Sequence, residues 1–165
     1  PFRLLSSGLA GYEELQEGIA VLAEYMVGGL SRSRLRLLAA RVVAVRMLID
    51  GASFIETVRE LNNEYGFEQS KAFKLALRVY RGGGLTKDMI YLRGLVGLLE
   101  YICRGGNFET LFLGKFGLEH VPIIRELQLR KLIATGPLRP RYMDKPETSE
   151  RLKYLRSGKS VIDLI

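Results

Sequence analysis

The feature that most constrains this chain is a helical spacing of apolar residues that glycines repeatedly interrupt. Between Tyr12 and Met26, leucine, isoleucine and methionine recur at steps of three or four residues, and Gly28 and Gly29 follow. Glycine commonly ends helices, and almost no stretch alternates polar and apolar residues as a half-buried strand does. The sequence therefore predicts an all-α fold, an irregular multi-helix bundle.

Capping residues and glycines set the expected helix boundaries. Ser53 followed by Glu56 is a capping-box pattern, Thr86 and Asn107 are N-cap residues, and Pro122 suits a first helical turn. The predicted helices cover about residues 12–26, 33–49, 53–66, 68–81, 86–103 and 122–133, with a short helix after Asn107.

The C-terminal part differs in composition from the rest. Three prolines fall in residues 136–149, and ten Lys or Arg stand against five acids from Arg125 onward. Prolines at this density favour extended, surface-exposed chain. We therefore expect a helical domain over 1–136 and a basic, extended arm over 137–165, with a short helix at about 149–156.

The chain has one cysteine, Cys103, and one histidine, His120. One cysteine excludes an internal disulfide and favours a reducing compartment, and one of each excludes a zinc site built from Cys and His pairs. No segment has the length and apolarity of a membrane-spanning helix. We expect a cytoplasmic protein with no membrane partner.

The net charge of +7 raises the question of nucleic-acid binding. The second predicted helix carries arginines with no acid among them: Arg32, Arg34, Arg36, Arg41 and Arg46. These arginines spread around the helix instead of lining one face, and no aromatic residues interleave with them. The pattern weighs against a nucleic-acid partner.

Two charged residues on predicted helices need an explanation. Glu17 directly precedes Gly18, and a glycine inside a helix costs about 1 kcal/mol relative to alanine. Close approach of another segment, a ligand or helix packing would each explain the glycine. Arg41 lies among apolar residues, so either it pairs with a carboxylate, Glu24 or Glu17, or it extends along its stem to water.

Residues 78–92 form a predicted corner: a helix end, a glycine hinge and a new helix start. Backbone N–H groups of the new helix, with Lys87 and either Arg78 or Arg81, would bind an anion, and Tyr80 or Tyr91 could donate to a developing oxyanion. The alternative is a plain corner in which Asp88 favours the helix dipole.

Several runs together carry a resemblance to a known family. They are Gly8 to Tyr12, Gln16 to Ala20, Leu22 to Tyr25, Arg41 to Ala44, Arg78 to Asp88, and Tyr91-Leu92 with Gly94-Leu95. In combination they resemble the bacterial QEGLA-motif proteins, described as modulating flavohaemoglobin expression. That family also includes the animal microtubule-associated tyrosine carboxypeptidases.

The resemblance implies a zinc metallopeptidase that cleaves near a peptide or protein C-terminus. On that basis Glu17 is a zinc ligand, and Glu24 or Arg41 holds Glu17 in place. Cationic groups among Arg78, Arg81 and Lys87 receive the substrate carboxylate, and Tyr80 or Tyr91 lies near the scissile carbonyl.

The sequence departs from the family in one respect. The family's H-E-x-x-x-H helix, which supplies two His ligands and the general base, belongs upstream of Gly8, and this chain begins at Pro1. A catalytic zinc normally has three protein ligands. We therefore expect the chain to be a C-terminal fragment that is inactive and metal-free in isolation.

The competing interpretation is a non-enzymatic helical interaction or regulatory module whose basic C-terminal arm binds an acidic partner. In the fragment interpretation, truncation also exposes apolar surface near the first predicted helix, which a homodimer could cover.

Overall fold

The computed structural model describes residues 3–82, 85–133 and 139–165. Every regular element in these ranges is helical, which confirms the all-α prediction. The α-helices are α1 (Arg3–Ser7), α2 (Tyr12–Met26), α3 (Arg32–Ile49), α4 (Phe54–Asn63), α5 (Gln69–Tyr80), α6 (Leu85–Cys103), α7 (Val121–Leu129) and α8 (Pro146–Arg156). Short 3₁₀ helices cover Phe108–Phe112, Leu118–His120, Arg141–Asp144 and Val161–Leu164. No helix in the described ranges is long and apolar enough to span a membrane.

Most helix boundaries follow the local capping chemistry. The Ser53 side chain accepts a hydrogen bond from the Glu56 backbone N–H, and the Glu56 carboxylate accepts one from the Ser53 backbone N–H, so the predicted capping box is confirmed. Asn107 likewise accepts from the Glu109 N–H at 2.9 Å and begins the 3₁₀ helix that follows. Gly66, with φ of +64°, follows α4 in the left-handed conformation that glycine adopts most easily.

Three boundaries differ from the predictions. Helix α6 begins at Leu85, one residue before the expected cap at Thr86. Helix α7 ends at Leu129 and not near Ile133, and α8 begins at Pro146, where proline occupies the first turn. The predicted glycine hinge at 83–84 and the predicted domain boundary at 136–137 lie outside the described residues.

The chain divides into two compact units, and the first comprises Pro1–Leu30 with Arg93–Ile165. Helix α2 contributes fully buried residues to its core, among them Val21, Leu22 and Met26. The Arg151 guanidinium on α8 donates to the carbonyl oxygen of Met26 at 2.5 Å, at the C-terminal end of α2. The C-terminal segment, expected as an extended arm, is therefore folded against α2 where the structure describes it.

The second unit comprises Ser31–Leu92. Helices α3, α4 and α5 pack against one another, and α6 contributes its first residues. Its core consists of buried side chains from α3, α4, α5 and the loop before α5: Ala40, Ala44, Val45, Leu61, Phe67, Ala72, Leu75 and Val79. This core fixes the middle of α3, which carries Arg41, and the C-terminal end of α5, which carries Arg78.

Candidate functional site

The glycine after Glu17 has a structural cause in the crossing of α2 and α6. A Cβ atom built on Gly18 would lie 2.4 Å from the carbonyl carbon of Gly94, and one built on Gly94 would lie 2.1 Å from the carbonyl oxygen of Glu14. No real Cβ atom approaches backbone this closely. Each glycine therefore permits the other helix to pass, and helix packing explains the glycine of the Glu–Gly pair.

An ion pair reinforces this crossing. Arg93, on α6 next to Gly94, donates from Nε to a carboxylate oxygen of Glu14 at 2.6 Å. The crossing thus combines a glycine contact with an ion pair at its edge, and it fixes the part of α2 that carries Glu17.

Glu17 and Glu24 are both half-buried residues of α2. They are seven residues apart, close to two helical turns, so they lie on the same side of the helix. Among the residues that the structure describes, no three His, Cys, Asp or Glu side chains are grouped so that they could hold a metal ion. The described side chains therefore do not by themselves form a catalytic zinc site, since such a site needs three protein ligands.

In the second unit, two of the predicted arginines lie beside a buried carboxylate. Asp88, in the first turn of α6, is fully buried. Its Oδ1 atom accepts a hydrogen bond from Nε of Arg78 at 2.6 Å and lies 3.9 Å from Nη1 of Arg41. The structure thus brings together side chains from α3, α5 and α6, and the carboxylate beside Arg41 is Asp88.

The side chains of this cluster influence one another's charge. Two guanidinium groups, of Arg41 and Arg78, face the single carboxylate of Asp88. Burial and then the nearby charge of Arg78 lower the pKa of Arg41, and the charge of Arg34 adds to this effect. The Arg41 guanidinium is therefore held, partly buried, close to a second cation.

Two polar atoms of the cluster are buried without a hydrogen-bond partner among the described residues, Nε of Arg41 and Oδ2 of Asp88. Buried polar groups in native proteins nearly always have a partner in the protein or in ordered water. Both atoms therefore leave hydrogen-bonding capacity unused in the cluster. Arg78 belongs to the same cluster, and its side chain is 45% exposed, so this part of the cluster is accessible from solvent.

The two predicted tyrosines have different surroundings. The Tyr91 ring lies under the Arg41 guanidinium, with its centroid 5.7 Å away, beside the Asp88 cluster. The Tyr80 hydroxyl donates to the Ala52 carbonyl at 2.5 Å and lies 2.8 Å from the Thr57 hydroxyl. Since its one proton is engaged with backbone, Tyr80 acts as a packing residue of α4 and α5 in this structure.

Arg81 and Lys87 flank the cluster along the chain. Arg81 caps the C-terminal end of α5, and Lys87 lies in the first turn of α6. Both side chains are exposed. Their charges add to the positive charge at this corner.

Asp88 is the site residue that the sequence analysis failed to assign. It was considered only as a group that favours the helix dipole. It is also the single acid among residues 69–99, which contain six Lys or Arg. An isolated acid in such a stretch is a signal for a shared ion-pair partner, and that signal could have identified it.

Comparison with known proteins agrees with the resemblance seen in the sequence. The model of a protein family described as microtubule-associated tyrosine carboxypeptidase matches residues 1–160. No curated protein and no solved structure matches the chain.

Proposed function

The chain belongs to the microtubule-associated tyrosine carboxypeptidase family, and from this membership we propose that the Asp88 cluster receives the C-terminal carboxylate of a peptide or protein substrate. The cluster consists of Arg41, Arg78, Asp88 and Tyr91. The observation that carries the proposal is the pair of guanidinium groups around one fully buried carboxylate.

The geometry of Arg78 suits this role. Its Nε is fixed by Asp88 at 2.6 Å, so the plane of the guanidinium is held in one orientation while the side chain remains 45% exposed. A guanidinium in a fixed orientation binds a carboxylate through two parallel hydrogen bonds with little further loss of freedom. Arg81 and Lys87 attract the anion from a longer distance.

Tyr91 is the tyrosine that we assign to the substrate side of the cluster. Its ring packs beside Arg41, whereas the Tyr80 hydroxyl proton is donated to Ala52. A phenol near the bound carboxylate can donate a hydrogen bond to a neighbouring carbonyl oxygen as negative charge develops on it.

Glu17 is proposed as one oxygen ligand of a zinc ion. The cofactor would supply a polarised water for hydrolysis. The 165 residues contain a single His, so the other ligands expected from the family resemblance are not in this sequence. Hydrolysis by these residues alone is not part of the proposal.

Peptide binding tests the carboxylate receptor without requiring hydrolysis. A fluorescent peptide ending in tyrosine should bind with a free C-terminus and bind about tenfold more weakly as the C-terminal amide, because one charge-assisted hydrogen-bond pair is lost. Arg78→Gln should weaken binding of the acid to the level of the amide. Arg78→Lys, which keeps the charge but loses the paired geometry, should lie between them.

Arg46→Gln is the matched control. Arg46 is an exposed arginine on α3 whose Nε donates to Asp50 at 2.8 Å, so it has the same chemistry outside the cluster. Equal binding of acid and amide by the parent chain, or equal losses in Arg78→Gln and Arg46→Gln, would contradict the proposal and leave the helical interaction module as the better interpretation.

The zinc ligand is tested separately. The coding sequence upstream of Pro1 should encode an H-E-x-x-x-H segment, and the protein expressed from the complete gene should contain zinc. Glu17→Gln should lower its zinc content, whereas Glu13→Gln, in the exposed first turn of α2, should not. A gene without the segment, or full zinc retention in Glu17→Gln, would exclude Glu17 as a ligand.

A further inference from the structure

We draw no further inference here: the strongest candidate, the exposed cationic face of α5 with Lys71, Lys74 and Arg81, carries nothing, because Glu68 pairs with Lys71 at 3.8 Å and nothing in the structure shows what covers this face.

Discussion

Replacing Gly18 by alanine tests the crossing of α2 and α6, because the crossing reverses the expected sign of the effect. In a helix interior the substitution normally raises stability by about 1 kcal/mol. Here the added Cβ would lie 2.4 Å from the carbonyl carbon of Gly94 and 2.6 Å from its oxygen. Backbone atoms cannot turn aside as a side chain can, so the two helices must move apart.

The size of the effect follows from two opposing contributions. Overpacking of a close-packed site costs about 1–3 kcal/mol, and a clash with backbone belongs at the upper end of that range. Subtracting the gain in helix propensity of about 1 kcal/mol leaves a net loss of about 2 kcal/mol. For a chain of this length, the melting temperature should fall by about 4–8 °C.

Thermal and urea unfolding followed by circular dichroism measure this loss. Gly97→Ala on α6 is the matched control, since its Cβ would meet only the end of the Leu118 side chain, at 3.1 Å from Cδ1. That side chain can rotate, so the control should change stability by no more than about 1 kcal/mol. A Gly18→Ala variant that is more stable than the parent chain would refute the crossing as the reason for the glycine.

Three further substitutions test the second unit by the same unfolding assays. Asp88→Asn should cost about 2–3 kcal/mol because it removes the charge of a fully buried carboxylate that both Arg41 and Arg78 contact, whereas Asp50→Asn at an exposed ion pair should cost less than about 1 kcal/mol. Tyr80→Phe should cost about 1–2 kcal/mol through loss of its hydroxyl contacts, with no effect on peptide binding. Ser53→Ala should cost about 1 kcal/mol. The Ser53 hydrogen bonds lower the pKa of Glu56 below its usual 4.5. In the parent chain their contribution to stability is therefore present above about pH 4.5 and is lost as the pH falls through the folded-state pKa. Ser53→Ala lacks the side-chain bond, so its stability should fall less over this pH range.

Helix positions could be predicted from the sequence because their signals are local. The Ser53–Glu56 box and Asn107 cap their helices through side chains two or three residues away, and the observed bonds match the pattern. The apolar spacing over 12–26 likewise coincides with α2. These features depend on neighbouring residues alone, so no knowledge of the fold was required.

The partner of Arg41 could not be assigned in the same way, because it depends on which helix ends meet. The need for a carboxylate was predictable from burial, but the choice of Glu24 or Glu17 assumed that α2 supplies it. The structure places Asp88 beside Arg41, from 47 positions further along the chain, and the pairing with Glu24 or Glu17 stays a prediction. Residue type predicted the kind of interaction, but the approach of Arg41 to Asp88 depends on the fold.

The contact between helices also changes what the Glu17–Gly18 pair implies about a ligand. The glycine was the physical reason to suspect a ligand next to Glu17, and the structure explains it by the backbone of Gly94. The metal-ligand proposal for Glu17 therefore rests on family membership and on its partly buried place on α2.

The proposal for the Asp88 cluster, unlike that for Glu17, is supported by the structure of the cluster, because one of its buried donors lacks an acceptor. A corner that served packing alone would be more stable with apolar side chains, since burying charges costs several kcal/mol unless they are fully paired. Here the Nε atom of Arg41 is buried beside Asp88 and has no hydrogen-bond partner among the described residues. A substrate carboxylate would supply the missing acceptor, so the feature that makes the corner costly for folding is the one that makes it suitable for binding.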